Sequence, residues 1–96
     1  LKTYKQIAAV KTSFSILDHL KIQERPVSGA EVAQELGLPH ATVMSHLATL
    51  EEIGAVERIG ETYRVGFKLA TFWIEAKKNL EAQRVEIDRK LQAINY

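Results

Sequence analysis

Leu69, Trp73, Ala76, Leu80, Gln83, Ile87, Leu91 and Ile94 recur at steps of 4, 3, 4, 3, 4, 4 and 3 residues. Steps of three and four keep side chains on one face of an α-helix. The pattern predicts one helix from Phe67 to about Ile94, about 42 Å long at 1.5 Å per residue. Only 66 residues precede it, and a body that small cannot cover such a stripe. Its outer part needs a second surface, because an isolated apolar stripe is left facing water. The stripe is heptad-like, with one additional step of four near its end. All eight residues are therefore expected to pair with the same helix of a second copy, and polar Gln83 is expected to help set the register. Leu69 and Phe72 are expected to pack partly on the preceding body, with Trp73 at the junction. The pattern leaves open whether the pair is parallel or antiparallel. The alternative is a helix folded back on its own domain, with the stripe as ordinary core.

The preceding residues are cut into short pieces by glycine and proline. Residues 6–23 read as a first helix with Ile7, Val10, Phe14, Leu17 and Leu20 on its buried face, and Pro26 limits it. Residues 26 and 27 offer a short strand. Ser28 as N-cap and Glu31 at the third position form a capping box. The helix that follows runs to about Leu36, burying Val32 and Leu36, and Gly37 suits its C-terminal turn. Pro39 fits the first turn of a third helix, whose buried stripe is Val43, Leu47 and Leu50. Ala41, Met44, Ser45 and Ala48 are placed opposite, Thr42 and Thr49 to one side, and His46 nearer the core edge. Gly54 ends this helix. Ala55 to Ile59 and Thr62 to Val65 then read as a hairpin joined by Gly60 and Glu61, a pair suited to a type II′ turn. Three helices and a hairpin are the order of a winged helix-turn-helix. The predicted architecture is mainly α with a small β-wing: residues 1–66 form the winged body and residues 67–96 a long C-terminal dimerisation helix.

Composition narrows the function. With 46% hydrophobic residues the chain is expected to fold. It has no cysteine, which excludes disulfides and a cysteine-based zinc site; a reducing compartment fits, and the cytoplasm is the expected location. No run reads as a membrane span or a signal peptide. His40 and His46 stand six apart, off the i,i+4 spacing of a helical metal pair, and Asp18 and His19 are adjacent and do not face each other. No nucleophile–base arrangement or glycine-rich phosphate loop is visible. No enzyme activity, cofactor or metal is expected.

Net charge is +1, too small by itself to argue for nucleic acid. The geometry of a winged helix-turn-helix argues for it instead: the third helix presents its outer face to a major groove and the hairpin lies on the backbone. Ala41 is the expected point of closest approach. Thr42 and Ser45 can exchange hydrogen bonds with base edges, and Ala41 and Met44 can touch a thymine methyl. Backbone contacts are expected from Lys2, Lys5, Lys11, Ser28, His40, Arg58, Arg64 and Lys68. Arg64 leads Arg58 among the wing cations, because Arg58 stands between Glu57 and Glu61 in sequence. Two other readings remain: a winged module that docks protein through its third helix, consistent with Glu51, Glu52 and Glu57, and a non-specific architectural DNA binder.

The residues that carry the winged pattern resemble the N-terminal DNA-binding domain of the IclR family of transcription regulators. The likeness runs from about Val10 to Leu69. It rests on ILDHL in the first helix, VSGAEVAQELGLP, TV at 42 and 43, LATLEEIGAVER from Leu47, and YRVGFKL at the end of the hairpin. It implies a dimeric repressor or activator that binds palindromic promoter DNA through the third helix and the wing, with the N-terminal segment and first helix adding dimer contacts. There are departures. The family usually has a basic residue at the place of His40, serine at Ala41, arginine at Ser45, leucine at His46 and an arginine at Thr12. A target sequence therefore cannot be carried over, and DNA contact is expected to rest more on Lys2, Lys5, Arg58, Arg64 and Lys68. Family members carry a larger C-terminal effector domain that binds a small molecule; no such domain is visible here, where residues 67–96 read as one long helix.

Overall fold

The computed structural model describes residues 3–95. Its elements are α1 (Ala8–Lys21), β1 (Val27–Ser28), α2 (Gly29–Leu36), α3 (His40–Glu52), β2 (Val56–Ile59), β3 (Thr62–Val65) and α4 (Phe67–Ile94). The three strands form one antiparallel sheet in the order β1-β3-β2. Mainly α with a small wing and a long last helix, this is the expected winged helix-turn-helix architecture.

Local chemistry accounts for the element ends. Ser28 caps α2 by accepting a hydrogen bond from the Glu31 N–H at 3.1 Å. The Glu31 carboxylate meanwhile accepts from Arg25 at 3.1 Å. α2 and α3 close in the same way. The Gly37 N–H donates to Gln34 O and Leu38 N–H to Ala33 O; the Gly54 N–H donates to Glu51 O and Ala55 N–H to Leu50 O. These are paired Schellman bonds, with the glycines at φ +66° and +83° where other residues are strained. Pro39 stands one residue earlier than expected, as the N-cap of α3. β2 also begins one residue late, at Val56, because Ala55 is spent closing α3. In the hairpin, Ile59 pairs with Thr62. Gly60 has φ +63° and Glu61 a negative φ, the combination of a type II′ turn.

The core is built from Ile16, Leu17 and Leu20 of α1, Val32 and Ala33 of α2, Val43, Leu47 and Leu50 of α3, and Val27, Val56 and Tyr63 of the sheet. The α3 stripe is the expected one. The α1 face is not. Leu17 and Leu20 are buried, but Ile7 and Phe14 are 65% and 62% exposed, and Val10 is exposed too. Ile16 takes the inward position. Two overlapping apolar stripes share Leu20, and packing against α2, α3 and the sheet selects the one that also carries Ile16. Leu36 is half-buried, while its neighbour Ala33 is buried. Leu47 is fully buried, so Leu47→Ala is expected to lower unfolding stability by about 2–5 kcal/mol. Chemical denaturation checks this through the midpoint; a shift smaller than that of an exposed substitution such as Ala48→Ser would contradict the packing.

α4 is different in kind: none of its residues is buried. Leu69 packs partly on the body as expected, but Phe72 and Trp73 stand clear of it, at 63% and 64% exposed. Trp73 instead lies under the Lys77 ammonium, 5.4 Å from the ring centroid. Leu80, Ile87, Leu91 and Ile94 are all exposed. The radius of gyration is 19.2 Å, against about 13 Å for a compact chain of about 100 residues. The helix does not fold back on its own domain. No described helix is long and apolar enough to cross a membrane.

Candidate nucleic-acid interface

With Val43, Leu47 and Leu50 turned inward, the middle of the outer face of α3 is Ala41, Ser45, Ala48 and Thr49, all exposed. Three methyl groups and two hydroxyls make a shallow, neutral surface that allows a close approach. The Thr49 hydroxyl donates to Ser45 O at 2.9 Å, leaving its oxygen free to accept. Thr42 and Met44 are half-buried on opposite flanks. Met44 was expected outward; its thioether instead packs against Gly29, where a Cβ would collide with the sulfur. At 100° per residue it lies about a quarter turn from the buried stripe, near enough for its long side chain to reach α2. The α2–α3 corner thus depends on a glycine that the sequence marked only as part of a capping motif. His46 is half-buried, with Nδ1 2.8 Å from Thr42 O.

Ala9, Val10 and Ser13 of α1 face Ser45, His46 and Thr49 across a largely apolar groove. Ala9 and Ser13 escaped the sequence reading, although they precede buried Ile16 and Leu20 at steps of 4, 3 and 4; Ala9 is exposed and Ser13 half-buried at the groove. A stripe sought through large side chains overlooks its small members.

The cations fall in separate places. Ser28, His40 and Arg58 border one crevice between the wing and the starts of α2 and α3, with Met44 and Glu61 beside them. Ser28's oxygen already accepts the capping bond of α2, and its hydroxyl proton stays free to donate to a ligand. Lys68 is at the other end of α3, its stem over Gly54. Lys5 and Lys11 are exposed on the N-terminal segment and α1; Lys2 lies outside the described residues. The sheet register separates the two wing arginines. Arg58 is opposite Tyr63, which is buried, so it emerges on the hairpin's core-facing side. Arg64 is opposite Glu57 on the reverse face and donates to its carboxylate at 3.1 Å. Among the described residues Arg58 has no ion pair. In sequence Glu57 adjoins Arg58; in the sheet it pairs with Arg64 instead. Alternation puts Glu57 on the other face.

Among the described residues no three His, Asp or Glu side chains gather where they could hold a metal ion. What the arrangement offers is an outward helix, a wing and cations around them: a winged helix-turn-helix DNA-binding domain. The family model for the IclR helix-turn-helix domain matches residues 9–60, more than half of the chain, and the chain belongs to that family. The fold is similar to an IclR transcriptional regulator from Alicyclobacillus acidocaldarius, at 25% identity and a TM-score of 0.70 over 75% of this chain and 30% of that one. The IclR of Thermotoga maritima is similar at 28% identity and a TM-score of 0.64, over 70% of this chain and 28% of that one. The repressor BlcR of Agobacterium tumefaciens shares the fold, with 23% identity and a TM-score of 0.64 over 86% of this chain and 37% of that one. The chain thus spans about a third of the length of these regulators. A comparison with curated proteins found no match.

Proposed function

We propose that this chain is the DNA-reading and dimerising part of a cytoplasmic transcription regulator, with residues 1–66 as the reading domain and residues 67–96 as the dimerisation helix. It binds double-stranded DNA sequence-specifically as a homodimer. Ala41, Thr42, Met44 and Ser45 read base edges, Met44 from the flank of α3. Lys2, Lys5, Lys11, Ser28, His40, Arg58, Arg64 and Lys68 are the candidates for the backbone, with Arg58 and His40 leading. Leu69, Trp73, Ala76, Leu80, Gln83, Ile87, Leu91 and Ile94 meet the second copy. The observation that carries the reading is the outer face of α3: small, exposed side chains on a helix whose underside is fully packed, in a family-matching winged helix-turn-helix.

The test is a binding titration on the DNA upstream of the protein's own gene against scrambled DNA, at two salt concentrations. Specific binding keeps a preference for one sequence while the electrostatic part weakens with salt. Equal affinity for both DNAs supports the architectural reading; binding to neither leaves the protein-docking module, which the exposed acids Glu51 and Glu52 on the last turn of α3 favour.

The wing makes a separate prediction. Arg58→Ala is expected to weaken binding about equally across DNA sequences and to lower the salt slope by roughly one unit. Arg64→Ala, which removes a side chain already paired with Glu57, is expected to change the slope less. Equal slopes for wild type and Arg58→Ala would remove Arg58 from the contact surface.

A further inference from the structure

Gly66 is the joint between the winged body and α4, and its environment is unlike that of a helix start in solvent. It is buried, and its N–H donates to Ala55 O at 2.8 Å. A Cβ built on Gly66 would collide with the Gly54 carbonyl oxygen and lie 3.0 Å from both the Ala55 carbonyl carbon and the Val56 nitrogen. All three obstacles are backbone. Its own conformation, φ −84° and ψ 157°, is one that any residue adopts, so only the missing side chain makes the contact. From the other side, the Lys68 stem lies over Gly54, its Cδ and Cβ 3.4 and 3.5 Å from the place of a Gly54 Cβ. Gly54 is also the residue that closes α3. The end of α3 and the start of α4 therefore meet backbone to backbone at Gly66 and Gly54, with the Lys68 stem lying over Gly54 from the other side.

From this contact we infer that Gly66 is a positioning residue for DNA binding: it holds α4 at a set direction to α3, and through the paired α4 helices sets the separation of the two recognition helices. The inference rests on the dimeric reading above. A two-fold dimer places its recognition helices on half-sites about one helical turn apart. The half-site spacing a dimer accepts is then only as sharp as the joint between helix and body is stiff. Side-chain packing alone would leave α4 loosely held, since its contact with the core is through half-buried Leu69. The backbone contact at Gly66 supplies the stiffness.

The experiment measures DNA affinity on single half-sites and on palindromes whose spacers change one base pair at a time, with oligomeric state followed by sedimentation. The half-site is the sequence selected in the upstream titration. Wild type is expected to gain roughly 100-fold on the palindrome of best spacing over a single half-site. Gly66→Ala is expected to remain dimeric with wild-type half-site affinity, and to lose at least about tenfold of that gain or move it to another spacer. Gly37→Ala is the control for lost stability: it strains a positive φ with nothing within 4 Å of the new methyl group, far from the joint. It should melt lower and keep the wild-type spacing. One alanine inserted between Phe72 and Trp73 turns the stripe by about 100° relative to the body and leaves Gly66 untouched. A stiff joint passes that rotation on, so this chain should stay dimeric, keep half-site affinity and lose the wild-type spacing; if Gly66→Ala does not fold, wild-type spacing here still overturns the inference. Wild-type spacing in folded Gly66→Ala, equal loss in Gly37→Ala, or wild-type spacing in the insertion chain overturns the inference. A wild-type protein that sediments as a monomer, or gains nothing on any palindrome, overturns it together with the dimeric reading.

Discussion

Ala41→Trp is expected to lose DNA binding while its melting curve stays that of wild type. Ala41 is exposed in the first turn of α3, and the core side of that helix is Val43, Leu47 and Leu50. An indole at position 41 therefore meets solvent in the free protein. On DNA it would stand where the helix approaches the bases, and would hold α3 away from them. Readout by alanine, threonine and serine has no long reach, and the forked cations that give bidentate guanine contacts are missing from this face. Every contact of α3 depends on closeness, so the loss is expected to exceed about 100-fold, near 2.7 kcal/mol. The measurements are a circular dichroism melt and a DNA titration on the same preparation. Wild-type affinity in a normally melting Ala41→Trp protein would mean that α3 does not enter a groove, and the protein-docking reading would replace the present one.

A chain ended after Ala76 is expected to be monomeric and to bind a full palindrome no better than a half-site. The truncation leaves the body intact, because among the described residues every buried one lies before α4. It removes Leu80, Ile87, Leu91 and Ile94, all at least half exposed in the single chain. Each such side chain contributes roughly 1.5–3 kcal/mol when fully buried. Four from each chain suffice to offset an association cost of about 4–15 kcal/mol. On this stretch Arg89 pairs with Glu86 within the same helix. Sedimentation equilibrium at tens of micromolar is the check. An intact chain that sediments as a monomer there would refute self-pairing. α4 would then serve as a connection to another domain.

What was legible in the sequence follows from local rules. The four helices, the hairpin and their ends could be read to within a residue or two, because caps, Schellman glycines and a type II′ turn are short-range chemistry. Val43, Leu47 and Leu50 could be read because α3 has one apolar stripe and no rival. The outer face of α3 followed by elimination, except Met44: a helical wheel gives the direction of Cα–Cβ, while a flexible thioether goes where a neighbour leaves room. On α1 two stripes were available, and periodicity ranks them by size of side chain, which favoured Ile7, Val10 and Phe14 over Ala9, Ser13 and Ile16.

Sequence alone therefore determined the order and type of the elements, the α3 core face, and the fact that α4 carries more apolar surface than its own body covers. Each of these depends on residues within a turn or two of one another. Tertiary structure decided the inward face of α1, the placing of Met44 against Gly29, the exchange of Arg58 for Arg64 as the wing cation without a partner, and the joint at Gly66. These depend on residues that meet only when elements pack: Arg64 finds Glu57 through strand register, and Gly66 finds Gly54 and Ala55 because the hairpin brings the chain back to the end of α3. Nothing in the local pattern of GFKL marks that return, since a glycine before a helix looks the same whether its missing side chain faces water or another backbone.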